Sequence, residues 1–331
     1  MKLLVRCQKS SALLNQIPPS VTLVALFGLG TIGGQIYKVL QQHDFDILES
    51  YKLFWGQPEF VLQMEQIRKK IEEHLVENNT TLVQVNADVK LEIIWSAGKA
   101  GFVSTTEQTE AEFVDYQLAL NMVLRLVDQF PNVPIRFHLL SSAGGLFEGA
   151  DQEINMETIP LPKRPYGFLK LRQEKALLEC QKFSSVIYRP SSVYGFIAHN
   201  KRSGLIPTMI ENGIKKKVSM ISGSLNTLRD YVHAEDIAFF IVNKILDTVA
   251  NIRNVEQQNL PLIHFLISGK PTSILEIKML IEFYLRKKIY INFLLAPGNS
   301  ANIIFHPSLL PIGFKSREIN FGVKSVLQNW S

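Results

Sequence analysis

The chain has 331 residues, 46% hydrophobic and 20% charged, with a formal net charge of +5. That is the composition of an ordinary globular protein with a substantial buried core, and no internal repeat or low-complexity segment interrupts it. Two cysteines, Cys7 and Cys180, rule out a disulfide framework and suit a reducing cytoplasm. No apolar stretch reaches the roughly 18–20 residues that a bilayer span needs, so no membrane partner is expected. The basic runs Lys215-Lys216-Lys217 and Arg286-Lys287-Lys288 are short and lack interleaved aromatics. They read as solvated faces rather than a nucleic-acid surface.

In chain order, Met1 to Ser20 starts with an apolar patch broken by Arg6, Gln8 and Lys9. It reads as a short extension, not a signal peptide. Val21–Phe27 is almost wholly apolar and rich in β formers, which predicts a parallel strand buried on both faces. A glycine-rich turn follows, then helical periodicity over Thr31–Gln42, a strand at Ile47–Ser50 and a charged helix over Glu59–Asn78. Short strands are expected at Leu82–Val85 and Leu91–Trp95, a helix over Phe113–Phe130 closed by Pro131, and a strand at Ile135–Leu140 running into Ser141-Ser142. A helix over Pro165 to about Gln181, a strand at Ser185–Tyr188 and an apolar helix over Asp236–Leu246 complete the regular part. Strand and helix alternate, which predicts an α/β fold: a Rossmann-type doubly wound parallel sheet with a smaller C-terminal lobe. The expected division is a dinucleotide-binding domain of residues 1–195 plus 235–262 and a substrate lobe of 196–234 plus 263–331. Ligands of such sheets bind at the carboxyl ends of the strands, so the glycine turn, Ser142 and Ser192 should share one crevice.

Two motifs carry chemistry. Gly28-Leu29-Gly30-Thr31-Ile32-Gly33 lies between a strand and a helix. There glycines let backbone N–H groups approach a pyrophosphate at the helix N-terminus. An acid about 20 residues further on should meet the adenosine ribose; Glu49 lies near that distance, with Tyr51 and Lys52 beside it. Asp88 is a looser candidate for a second acid. The other motif is Tyr166-x-x-x-Lys170, where a spacing of four stacks a phenol and an ammonium on one helix face. The ammonium favours the phenolate, so the pair can exchange a proton with a substrate oxygen.

These two motifs, with Ser141-Ser142-Ala143-Gly144-Gly145, Arg189-Pro190-Ser191-Ser192-Val193-Tyr194-Gly195 and Arg229-Asp230-Tyr231-Val232-His233 in that order, resemble the extended short-chain dehydrogenase/reductase family. The likeness is to its nucleotide-sugar epimerase/dehydratase branch, and it runs from about residue 21 to 245. The resemblance implies that Tyr166 exchanges the proton, Lys170 supports it and bonds the nicotinamide ribose, and Ser142 orients the same oxygen. Gly28, Gly30, Thr31, Ile32, Gly33, Glu49, Ala97 and Gly98 would bind the cofactor, NAD with NADP left open. Ser192 and Arg229 would bind the substrate, and no metal is implied. A dehydratase of this family carries an Asp-Glu pair after the serine or threonine; Ala143-Gly144 stand here, which argues against elimination of water. An Asn is usual at the position of Ser192, and an Arg-x-x-Asp clamp where Asn299-Ser300-Ala301-Asn302 stand; Arg317 or Lys315 is the candidate replacement. The reading is a cytoplasmic, homodimeric NAD-dependent C4-type epimerase of a nucleotide sugar, of the kind serving bacterial surface polysaccharide synthesis. An NADP-dependent carbonyl reductase and a catalytically silent dinucleotide sensor are the alternatives.

Overall fold

The computed structural model describes residues 1–8, 20–83, 88–195, 204–247, 262–294 and 302–329. Its strands are β1 (Lys2–Gln8), β2 (Ser20–Phe27), β3 (Asp46–Ser50), β4 (Asp88–Trp95), β5 (Ile135–Leu140), β6 (Ser184–Pro190), β7 (Ser192–Tyr194), β8 (Val218–Ser222), β9 (Leu228–His233), β10 (Leu262–Leu266), β11 (Pro271–Ser273) and β12 (Tyr290–Leu294). Its helices are α1 (Thr31–Gln42), α2 (Glu59–Val83), α3 (Thr106–Gln129), α4 (Ala143–Leu146), α5 (Pro165–Glu179), α6 (Leu205–Ile214), α7 (Ala234–Ile245), α8 (Ile274–Leu285) and α9 (Ile319–Gln328).

A seven-stranded sheet in the order β10-β6-β5-β4-β2-β1-β3 forms the centre. Every strand runs parallel except β1, which is antiparallel to both β2 and β3. The N-terminal segment is therefore a strand inside the sheet, not an extension. The sequence hides it because its pattern, apolar at Leu3, Leu4 and Val5 and polar on either side, is too short to carry a period. Alternation along β2 divides the core. Leu23, Ala25 and Phe27 pack under α2, α3 and α5, whereas Val24 and Leu26 pack under α1 and α7.

Two other expectations shift. Leu82 and Val83 end α2 rather than open a strand, and residues 84 and 85 lie outside the described residues. Helix α3 begins at Thr106, well before Phe113. Thr105 caps it reciprocally: its hydroxyl accepts from Gln108 N while Gln108 Oε1 accepts from Thr105 N. That Thr-x-x-Gln is a helix-start signature present in the sequence.

The smaller lobe joins the sheets β11-β9-β7 and β12-β8 to α6, α8 and α9. Its core includes Tyr194, Ile210, Tyr231, Ile277 and Val326. Strand β10 adds to the large sheet beside β6.

Beneath α7 the sheet carries buried charge. Glu92, fully buried, takes two bonds from Arg136, Nε at 2.9 Å and Nη2 at 2.8 Å, and a third contact from His138 Nε2 at 2.8 Å. His138 Nδ1 meets the Tyr188 hydroxyl at 2.9 Å. Burial alone would raise the Glu92 carboxyl, but Arg136 and His138 hold it down at about 2. Arg136 and Lys90 in turn donate to the main-chain oxygens of Lys244, Ile245 and Asp247. Two cations thus sit on the carbonyls that end α7, where positive charge meets the negative end of the helix dipole.

Candidate active site

The crevice opens at the carboxyl ends of β2, β4, β5 and β6 and encloses about 1280 Å³. Glycines shape its floor. Gly28 adopts φ +86°, and a Cβ there would lie 2.5 Å from the Ala97 backbone. A Cβ on Gly33 would fall 2.0 Å from Gly28 O, so α1 can dock against the turn only without one. A Cβ on Gly30 would instead enter open space. No side chain caps the N-terminus of α1 and its first turn holds no acid. Backbone N–H groups are therefore offered to the crevice, a cradle that fits a pyrophosphate. Gly28, Gly30, Thr31, Ile32, Ala97 and Gly98 line the crevice; Gly33 packs behind them.

Glu49 is not among the lining residues. It stands opposite Leu3 in the β1–β3 ladder, on the face covered by α2, where its charge acts on Tyr51 and Lys70. Asp88 opens β4 opposite Ser20, at the amino edge of the sheet and away from the crevice. The crevice wall at this end is instead Trp55, Gly56 and Gln57, facing Trp95.

The residues expected to carry proton transfer come from the end of β5, α4 and α5. Ser142 follows β5 by two residues and caps α4, its hydroxyl accepting from Gly145 N at 3.1 Å. Tyr166 lies in the first turn of α5, which Pro165 opens. Both line the crevice, as does Ser141, whose hydroxyl is buried without a protein partner. Helices α4 and α5 touch through glycines. A Cβ on Gly145 would lie 3.0 Å from the Tyr166 ring, and one on Gly167 would lie 2.3 Å from Gly145 O. That contact fixes Ser142 beside Tyr166. The Phe102 ring packs against the Tyr166 ring, centroids 5.5 Å apart.

Lys170 is buried one turn below, with Nζ 5.8 Å from the Tyr166 ring centroid. Its Nζ donates to Gln173 Oε1 at 2.9 Å and lies 3.9 Å from Glu112 Oε1. Glu112 was not visible as a site residue in the sequence. Its other oxygen accepts from Lys99 N and Ala100 N, both at 2.9 Å, and so holds the loop after β4 against α3. Glu174, one turn beyond Lys170, binds Arg189 through two bonds of 3.0 and 2.7 Å, which pins α5 to β6.

On the far side of the crevice stand Ser192, Tyr194, Arg229 and Tyr231. Burial lowers the Arg229 guanidinium, with Tyr231 and Glu148 opposing that shift; arginine keeps its charge nonetheless. Its Nη1 donates to Leu228 O at 2.8 Å. Asp230 accepts from Ser191, from Ser268 N and Oγ, and from Gly269 N, while Glu235 holds Arg317 at 2.7 Å. Arg317 also binds Asp236, so it is committed to the start of α7 and does not replace the missing clamp. Asn299 lies outside the described residues; Asn302 accepts from Leu228 N at 2.9 Å.

The family model described as "NAD dependent epimerase/dehydratase family" matches residues 27–260, most of the chain. The protein belongs to that family. Its fold is shared with UDP-glucose 4-epimerase of Thermus thermophilus complexed with NAD: TM-score 0.69, 16% identity, 93% of this chain and 98% of that one. UDP-glucose 4-epimerase of Thermotoga maritima with UDP-glucose gives 0.67 and 15%, covering 93% and 97%. UDP-glucuronic acid 4-epimerase of Bacillus cereus, with UDP-glucuronic acid and NAD, gives 0.64 and 17%, covering 93% and 99%. The comparison with curated proteins found no match. Ala143 and Gly144 sit in α4 directly after Ser142. Among the described residues no helix is long and apolar enough to cross a membrane.

Proposed function

We propose that the protein is an NAD-dependent epimerase of a nucleotide sugar, inverting a sugar carbon by oxidation and re-reduction. The observation that carries this reading is the single crevice that unites a pyrophosphate cradle, Tyr166 and Ser142, and Arg229 on the opposite wall. When bound, the nicotinamide supplies reversible hydride transfer. Tyr166 exchanges the proton of the reacting hydroxyl, and Ser142 bonds the same oxygen to fix its geometry. Lys170 places a positive charge behind the phenol. Arg229 offers its planar fork to the substrate's diphosphate. Ala143-Gly144 favour oxidation–reduction over loss of water.

The same proposal includes a homodimer paired through α3 and α5, supported by the exposure of Val114 and Phe168. It also includes a cytoplasmic location and a role in bacterial surface polysaccharide synthesis, which rest on the sequence resemblance. A carbonyl reductase with a non-nucleotide substrate is the second reading. It is favoured by the commitment of Arg317 to Glu235 and Asp236.

Mass spectrometry of the molecule released on denaturation tests the two. Retained NAD(H), with conversion of a UDP-sugar to its C4 epimer that Tyr166→Phe abolishes, supports the epimerase. Stoichiometric consumption of reduced dinucleotide favours the reductase. Absence of any dinucleotide binding refutes both.

A further inference from the structure

In a doubly wound dinucleotide site the strand after the first helix lies beside the glycine-turn strand, and an acid at its tip bonds the adenosine ribose. Here β1 separates the two, so β3 is displaced by one further strand spacing, about 4.8 Å. A shift in the β1–β3 register between Leu3 and Leu4 leaves Glu49 opposite Leu3, facing α2. The vacated position on the α1 face is filled by Lys2, whose Nζ donates to Ser50 Oγ at 2.8 Å and stands 5.5 Å from the Tyr37 ring. None of Lys2, Glu49 and Ser50 lines the crevice.

The turn that does line it is held from several sides. Gly56, at φ +68°, donates its N–H to Asp115 Oδ2 at 2.8 Å. Gln63 brackets the turn, accepting from Phe54 N at 2.9 Å and donating to Lys52 O at 2.8 Å. The Trp55 ring meets Trp95 edge-on at 5.7 Å and Phe60 at 5.1 Å. Trp95 Nε1 is buried in the same wall without a protein partner, and Gln57 is exposed at the rim.

Resting on the dinucleotide reading above, we propose that the Trp55–Gly56–Gln57 turn, not the tip of β3, binds the adenosine half of the cofactor. Trp55 offers an aromatic face to the purine, and Gln57 an amide to the purine edge or the ribose hydroxyls. The inserted strand makes the substitution necessary, because it moves the usual acid out of reach of the glycine turn.

Calorimetric titration of the full-length protein with NADH, ADP-ribose and reduced nicotinamide mononucleotide tests this. Trp55→Ala should weaken NADH and ADP-ribose by the same factor, roughly 5–100-fold for a lost base stack. Nicotinamide mononucleotide should be unaffected, and Trp55→Phe should retain most of the affinity. Gln57→Ala, at an exposed position, should weaken the same two ligands and covers the case in which Trp55→Ala does not fold. Glu49→Gln should leave every affinity within about twofold, the scatter expected of a residue away from the ligand. The assignment is overturned by a tenfold loss with Glu49→Gln, or by Trp55 and Gln57 variants that bind as the wild type does. It is also overturned by a preference for NADPH that Lys2→Ala abolishes, since that would seat the ribose at the β1–β3 edge. Wild-type protein that binds neither NADH nor ADP-ribose refutes the dinucleotide reading itself.

Discussion

Replacing Glu92 with glutamine keeps the volume of a fully buried side chain while removing its charge. In the folded protein that carboxylate is the acceptor for Arg136 and lies 3.5 Å from Lys90 and 2.8 Å from His138. Glu92→Gln leaves two buried cations facing each other across a neutral amide whose own NH2 points at a donor. Breaking one partner of a buried pair costs about 3–5 kcal/mol, a large part of the roughly 5–15 kcal/mol that holds a typical protein folded. The double variant Glu92→Met/Arg136→Met removes acceptor and main donor together and should cost less than the single change. Lys90 still has the Ile245 and Asp247 carbonyls as acceptors. Urea denaturation at pH 7.5, followed by circular dichroism, measures both. A loss below about 1 kcal/mol for Glu92→Gln, or a larger loss for the double variant, would refute the view that Glu92 compensates these cations.

Gly145→Ala places a methyl 3.0 Å from the Tyr166 ring. It should cut turnover at least tenfold by displacing the phenol, on the order of one misplaced catalytic contact, while NADH binding by calorimetry stays near wild type. Asp230→Ala leaves the Ser268 and Gly269 N–H groups unpaired. At roughly 1–3 kcal/mol per orphaned donor the ceiling is about 6 kcal/mol; because both donors are only half-buried, the loss should sit near the low end, about 2 kcal/mol, seen as a lower urea midpoint. His233 and His264 are both held at about 4, chiefly by burial, with Arg317 acting on the first and Lys244 on the second. Between pH 6.5 and 4 the unfolded chain therefore binds more protons than the folded one, so stability is full above pH 6.5 and falls as the pH drops. The loss by pH 5 should be about 2 kcal/mol for each histidine, on the order of 4 kcal/mol for the pair. Melting temperatures at pH 7.5 and 5, with His233→Gln/His264→Gln flattening the difference, check the sign.

The parallel sheet was legible because β2, β4, β5 and β6 are short runs rich in apolar β formers, each ending at a glycine, serine or proline. A strand buried on both faces needs no partner to declare itself in this way. The glycine turn, Tyr166 with Lys170, and Ser142 were legible for a related reason: each is local, and its meaning depends on spacing within a few residues. Tertiary structure alone decided the remainder. Where β1 inserts depends on which free edge the folding sheet offers, a long-range pairing that leaves no mark in Lys2–Gln8 itself. That one insertion turns Glu49 from the crevice toward α2. Glu112 reaches Lys170, and Trp55 reaches Trp95, only because separate helices and turns pack together across many intervening residues. Arg317 looked available for a phosphate until the fold carried Glu235 and Asp236 to it across more than 80 residues. The sequence determined which groups can do chemistry; packing determined which of them face the crevice, because a charged group's role is set by the nearest opposite charge in space.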